Sequence, residues 1–241
     1  MSFDTKQKAR KWVWSRLEDE GIARFPFPVE GRIPNFANAQ KAAKRLAEHP
    51  LFEEAQIIKI NPDSPQQPVR ELALRQGKTV VVPTPRLKAG FMRFDPSAID
   101  DEDLRDATMI SRWKPFAKEV PLEAMPASDL IVTGCVAVTE RGARAGKGHG
   151  YSDLEYAILQ ELGHDPVPVV TTVHDEQIVD GFPTEDHDLF LRAIFSPTRS
   201  IDVDDVGPGP DGIDWSLLDG DDLDEMPVLA DLKARIGDSD Q

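Results

Sequence analysis

Asp129-Leu-Ile-Val-Thr-Gly-Cys-Val-Ala-Val138 is an apolar, β-branched run opened by a single acid. Thr79–Pro83 and Val167–Val173 have the same character. None of the three alternates apolar with polar residues, as a strand with one wet face would. Strands apolar on both faces belong to a mostly parallel sheet covered by helices on each side. Helical patterns lie between and around these runs. Thr5 to Gly21 carries Trp12, Val13 and Leu17 at helical spacing and stops at Gly21. Ala37–Glu48 is Ala-rich and closes before Pro50, Val69–Gln76 ends at Gly77, and Ser152–Leu162 covers the later strands. Ala55–Ile60 reads as a short alternating strand, Phe25–Asn35 as irregular surface chain, and Ile194–Thr198 as the last strand. The expected fold is α/β, a three-layer sandwich with ligands gathered at the carboxyl ends of its strands.

Composition bounds the rest. The 241 residues are 40% hydrophobic, enough to bury one large core. The expected division is an α/β domain over 1–200 and an acidic C-terminal extension over 201–241. The extension contains the loop sequence Gly207-Pro208-Gly209-Pro210, the acidic run Asp219–Glu225 and a short helix over Pro227–Ile236. Net charge is −15, from 43 acidic and 28 basic side chains. Such a surface repels nucleic acid phosphates and anionic membranes. High salt would screen the self-repulsion, since the Debye length falls to roughly 3 Å at about 1 M; a salt-adapted, halophilic source is the expectation. The single Cys135 permits no disulfide within the chain and reads as a small buried hydrophobe. With a polar start from Asp4 to Arg10 and no long apolar stretch, a cytoplasmic protein is expected, as monomer or homodimer.

Arg144-Ala-Gly-Lys-Gly-His-Gly-Tyr-Ser-Asp153 follows the longest run. Gly146, Gly148 and Gly150 alternate, which lets consecutive N–H groups turn toward one point beside Arg144 and Lys147. Ser152-Asp-Leu-Glu155 then resembles a capping box that opens a helix. A glycine loop running into a helix N-terminus is an anion site, and the spacing here is neither a Walker loop nor a dinucleotide fingerprint. Lys6 and Arg10 stand four apart on one helix face, where they can reach an anion as a pair. A nucleotide phosphate brings a divalent cation that wants carboxylates. Asp153 is the first such carboxylate, and the stretch from His174 to Asp188 supplies others. His174 and His187 match no zinc spacing. No nucleophile elbow or paired Cys is present.

The Lys6 and Arg10 pair, the 144–153 loop, Glu176-Gln177 and Pro183 to Asp188 resemble, in that order, the 5-formyltetrahydrofolate cyclo-ligases, also called 5,10-methenyltetrahydrofolate synthetases. The likeness covers most of residues 5–199. Arg32–Phe36, Val82–Leu87, Gly150–Tyr156, Val173–Gln177, Pro197–Arg199 and Gly212–Trp215 resemble a divergent branch of that family, the methenyltetrahydrofolate synthetase domain-containing proteins. The resemblance implies a fold like that of NagB, ribose-5-phosphate isomerase and the CoA-transferases. It implies ATP and Mg²⁺ as cofactors and a reduced folate as substrate. Carried over by position, Lys6, Arg10, Arg144, Gly146, Lys147, Gly148 and Gly150 would grip ATP, with Arg144 and Lys147 acting in catalysis. Tyr151 would line the pocket, and Asp153 and Asp188 would hold Mg²⁺. Phosphoryl transfer is catalysed by positioning and charge neutralisation, which suits this set of donors and cations.

Three positions depart from the pattern. The glutamate that contacts folate in the family aligns with Pro65, Ser152 stands where a second Tyr is common, and an acidic residue is replaced near Thr139. The implied activity is conversion of 5-formyltetrahydrofolate to 5,10-methenyltetrahydrofolate. The alternatives are the same ATP chemistry on another metabolite, or a non-catalytic nucleotide-binding or RNA-associated protein.

Overall fold

The β-branched runs share one sheet at the centre of the protein, in a computed structural model that describes residues 1–239 apart from 85, 86, 89, 149, 186, 208, 211 and 219–225. The five parallel strands are β3 (Ile57–Ile60), β4 (Thr79–Pro83), β7 (Leu130–Thr133), β10 (Val169–Thr172) and β12 (Ala193–Phe195). Their spatial order is β12-β10-β7-β3-β4. Ile58 sits between Val80 and Leu130, and Val132 beside Val170. The Asp129 carboxylate accepts the Gln56 and Ile57 amides, both at 2.8 Å, and so pins the start of β3 beside β7. Antiparallel strands finish both edges: β13 (Ser200–Asp202) pairs with β12, and β5 (Phe91–Phe94) followed by β6 (Ala117–Val120) extends β4.

Alternate residues of each central strand enter different cores. Ile58, Val80, Val132 and Val170 meet α2 (Ala39–Ala47), α4 (Gln67–Arg75) and Leu104 and Ala107 of α5 (Leu104–Ala107). Val81, Ile131 and Ile194 meet α6 (Tyr151–Glu161) on the other side. The result is the expected α/β sandwich with a mostly parallel sheet. Each large apolar side chain so buried contributes about 1.5–3 kcal/mol. The short α3 (Pro50–Glu54) leads into β3, which is buried along nearly its whole length instead of alternating. Helix α1 (Lys6–Asp19) is capped by the Thr5 hydroxyl, which accepts the Lys8 amide at 3.1 Å. It packs on a small sheet of β8 (Ala137–Thr139), β9 (Arg144–Ala145) and β11 (Ile178–Val179) through Val13, Val136, Ala145 and Val179. The irregular 25–34 stretch is closed by a two-stranded ribbon, β1 (Ala23–Arg24) and β2 (Asn35–Phe36).

The long run Asp129–Val138 is therefore two strands in two sheets. It breaks at Gly134, where a Cβ would stand 3.0 Å from Asp63 Oδ2 and 3.1 Å from Gln66 Oε1. Likewise, Ile194–Thr198 is strand only to Phe195, and the edge strand β13 comes after it. The chain beyond residue 201 returns to the core. Helix α7 (Pro227–Ser239) follows Met226, and Met226, Val228, Leu229 and Leu232 are buried in the layer that holds α6. The acidic run at 219–225 lies outside the described residues. Among those described, no helix is long and apolar enough to cross a membrane.

Candidate active site

A cleft of about 1190 Å³ opens where β3 and β7 end, bounded by Asn61, Gly134 and the first turns of α6. All ten residues singled out in the sequence line it: Lys6, Arg10, Arg144, Gly146, Lys147, Gly148, Gly150, Tyr151, Asp153 and Asp188. They come from four places in the chain. Helix α1 supplies Lys6 and Arg10 one turn apart, and β9 with the loop after it supplies 144–150. The start of α6 gives Tyr151 and Asp153, and the segment before β12 gives Asp188. His149 and Asp186, which belong to the same sequence motifs, lie outside the described residues.

The helix start differs from the capping-box expectation. The N-cap is Gly150, at φ +68°, and the helix begins at Tyr151. A side-chain cap is thus absent, and the glycine's left-handed backbone turns the chain sharply into the helix. Ser152 and Glu155 serve other ends. The Ser152 hydroxyl accepts from Asn61 Nδ2 at 3.1 Å, and Glu155 is buried in an ion pair with Lys59 of β3. The loop follows β9, not the strand that ends near Val138.

Charges of both signs meet here. The Arg144 side chain, 3% exposed, donates to Asp153 Oδ1, which also accepts the Leu189 amide at 3.0 Å. Burial is the largest influence on the Arg144 guanidinium and pulls its pKa down, but Asp153, joined by Cys135 and Asp188, outweighs it and the net direction is up. Among the described residues its buried Nε has no hydrogen-bond partner. Arg10 donates from Nε to the Gly146 carbonyl at 2.6 Å, and its guanidinium carbon stands 3.7 Å from where a Cβ of Gly148 would be. Burial, then the charge of Arg144, lowers the Arg10 pKa. Lys6 bonds both oxygens of Asp188, and Lys147 Nζ meets Asp63 Oδ1 at 3.1 Å.

Glu185, His187 and Asp188 are the group of possible metal ligands among the described residues. Asp188 was expected in such a group and Asp153 was expected to share it. Instead Asp153 Oδ1 faces Arg144. The carboxylate oxygens of Asp153 and Asp188 are hard donors beside the glycine loop, so the donor chemistry fits Mg²⁺. His174 is elsewhere, capping a short turn through Nδ1, which accepts the Glu176 amide at 3.2 Å.

Sequence reasoning missed Asn61, Asp63 and Glu155, which line the cleft, and Lys59, buried beside Glu155. The one available signal was a lysine inside the apolar Ile57–Ile60 strand. Lys59 is 1% exposed and reaches both Glu155 and Asn61 Oδ1. Behind them Arg70, fully buried, donates to the carbonyls of Asn61, Asp63 and Thr108 and fixes the loop after β3; burial lowers its pKa to about 10.

Residues 15–197 match the 5-formyltetrahydrofolate cyclo-ligase family. The chain belongs to that family. A methenyltetrahydrofolate synthase domain-containing protein of Mus musculus is 44% identical over 96% of this chain, and its Homo sapiens counterpart is 38% identical over the same share. This chain spans only 64% and 62% of those two proteins' lengths. The 5-formyltetrahydrofolate cyclo-ligase of Escherichia coli K12 is 29% identical over 66% of this chain and 88% of its own. The fold agrees with the solution structure of Aquifex aeolicus 5,10-methenyltetrahydrofolate synthetase: TM-score 0.53 and 16% identity, over 83% of this chain and 93% of that one.

Proposed function

We propose that this protein is an ATP- and Mg²⁺-dependent cyclo-ligase that converts 5-formyltetrahydrofolate to 5,10-methenyltetrahydrofolate. The observation that carries the reading is the gathering of Lys6, Arg10 and Lys147 around the glycine loop and the N-terminus of α6, in a cleft of a chain from this family. Amide donors, a helix N-terminus and three cations suit the terminal phosphates of a triphosphate. The formyl oxygen takes the γ-phosphoryl group from ATP, releasing ADP. N10 then attacks the activated formyl carbon, and loss of phosphate leaves the closed methenyl ring. Lys6 would exchange its contact with Asp188 for phosphate oxygens, and Lys147 would do the same with Asp63. Asp153 and Asp188 would hold Mg²⁺, which neutralises phosphate charge when bound. Arg144 orients Asp153 through their hydrogen bond.

The direct test mixes the protein with ATP, Mg²⁺ and 5-formyltetrahydrofolate and follows the absorbance of the methenyl product. Steady growth is expected, and none at saturating ATP and Mg²⁺ rejects this substrate. Lys147→Ala should raise KM for ATP by about ten- to a hundredfold, as expected for a lost charge-assisted contact of about 1.5–3 kcal/mol. An unchanged KM removes it from the phosphate grip.

One observation favours a second reading, the same ATP chemistry on another formylated or amide-bearing metabolite. Pro65, where the family's folate-contacting glutamate aligns, is buried, and Asp63 faces the cleft in that loop. ADP release measured over a panel of such metabolites separates the two.

A further inference from the structure

One wall of the cleft comes from chain beyond the family-matching residues 15–197. Ile213, Leu218 and Met226 line it and merge with Leu154 and Ala157 of α6 into one apolar surface. The same cleft also holds the cations and the glycine loop. We infer that Ile213, Leu218 and Met226 form a specificity wall that seats a nitrogen heterocycle, the part of the ligand that carries no phosphate. The inference rests on the proposed reaction only for which ring this is, the adenine base of ATP or the reduced pterin of the folate.

The wall is built in advance of any ligand. Gly212 has φ +145°, and a Cβ there would stand 2.7 Å from Glu161 Oε1, so the strand of chain lies directly on α6. The next residue ties down the same carboxylate, since the Ile213 amide donates to Glu161 Oε1 at 2.9 Å. Gly209 approaches the Tyr156 ring, where a Cβ would be at 3.3 Å. Leu229 and Leu232 then anchor the segment from behind in the core. Aliphatic and thioether side chains held this way cover both hydrophobic area and ring edges, and a rigid wall avoids the ordering cost of a mobile one. Phosphates gain nothing from it.

The test compares three probes on the full chain by calorimetry: Mg·tripolyphosphate, Mg·ATP and 5-formyltetrahydrofolate. Leu218→Ala and Met226→Ala should each weaken at least one ring-bearing ligand by about tenfold and leave tripolyphosphate unchanged. Loss confined to Mg·ATP assigns the wall to the base, and loss confined to 5-formyltetrahydrofolate assigns it to the pterin. Leu232→Ala, in the same core but away from the cleft, should lower Tm and change no Kd. Unchanged Kd values for both ring ligands overturn the wall, as does an equal loss for tripolyphosphate. A protein whose wall variants lose Mg·ATP but which forms no methenyl product keeps the wall and loses the reaction instead.

Discussion

Asp153 shows how a single residue's role changes once its neighbours are known. From sequence it is a metal ligand in the first turn of a helix, and its amide variant should fold almost normally. In the structure it is the counter-charge of Arg144, a guanidinium that is 3% exposed. Asp153→Asn would leave that charge facing a neutral amide, at a cost of about 1–3 kcal/mol for an unsatisfied buried group. The expected outcome is a clear drop in Tm together with loss of Mg²⁺-dependent activity. Pairing it with Arg144→Met should recover part of the stability; a double variant no more stable than Asp153→Asn would show that the two side chains are not coupled. Arg144 and Asp153 were both visible as candidates in the sequence. Their bond was not, because it depends on β9 running beneath the start of α6.

At the scale of elements, α6 is joined to β3 by the buried pair of Lys59 and Glu155. Burial raises the Glu155 pKa against the opposing pull of Lys59. Breaking such a pair from one side is far costlier than replacing both partners. Glu155→Gln should lower unfolding free energy by about 3–5 kcal/mol in a urea titration. Lys59→Met combined with Glu155→Leu should restore most of it; a double variant as unstable as Glu155→Gln contradicts this account. The turn after β10 offers a pH test. Burial lowers the His174 pKa, against Asp175 and Glu176. A base with a depressed folded pKa is protonated first in the unfolded chain, so stability rises with pH and is lost as pH falls below about 6.5. Tm measured between pH 5 and 7.5 should fall on the acid side, and His174→Asn, which keeps an acceptor for the Glu176 amide, should flatten that fall. Equal slopes in the two proteins would place the titration elsewhere, with His164, whose pKa burial also lowers, as the next group.

For the molecule as a whole the dominant quantity is a net charge of −15. Self-repulsion of that size weakens the compact state and is screened within roughly 3 Å at about 1 M salt. Tm should therefore rise from dilute buffer to concentrated KCl, and a fall would remove the salt-adapted reading. The same scale decides the fate of the C-terminal chain. Read as an extension, it returns as a layer of the core and a wall of the cleft, because Met226, Val228, Leu229 and Leu232 are apolar at helical spacing and must be covered.

Local chemistry was legible along the chain. Continuous β-branched runs announced a buried parallel sheet, and Thr5 and Gly21 bounded the first helix. Glycines, cations and acids in a fixed order picked out residues that share one cleft. These features depend on near neighbours in sequence, and near neighbours are what periodicity and motif report. Only the tertiary structure split the Asp129–Val138 run between two sheets, paired Lys59 with Glu155, and brought Ile213, Leu218 and Met226 to the cleft. Each of those depends on contact between segments far apart in the chain, where close packing and the cost of an unpaired buried charge choose the partner.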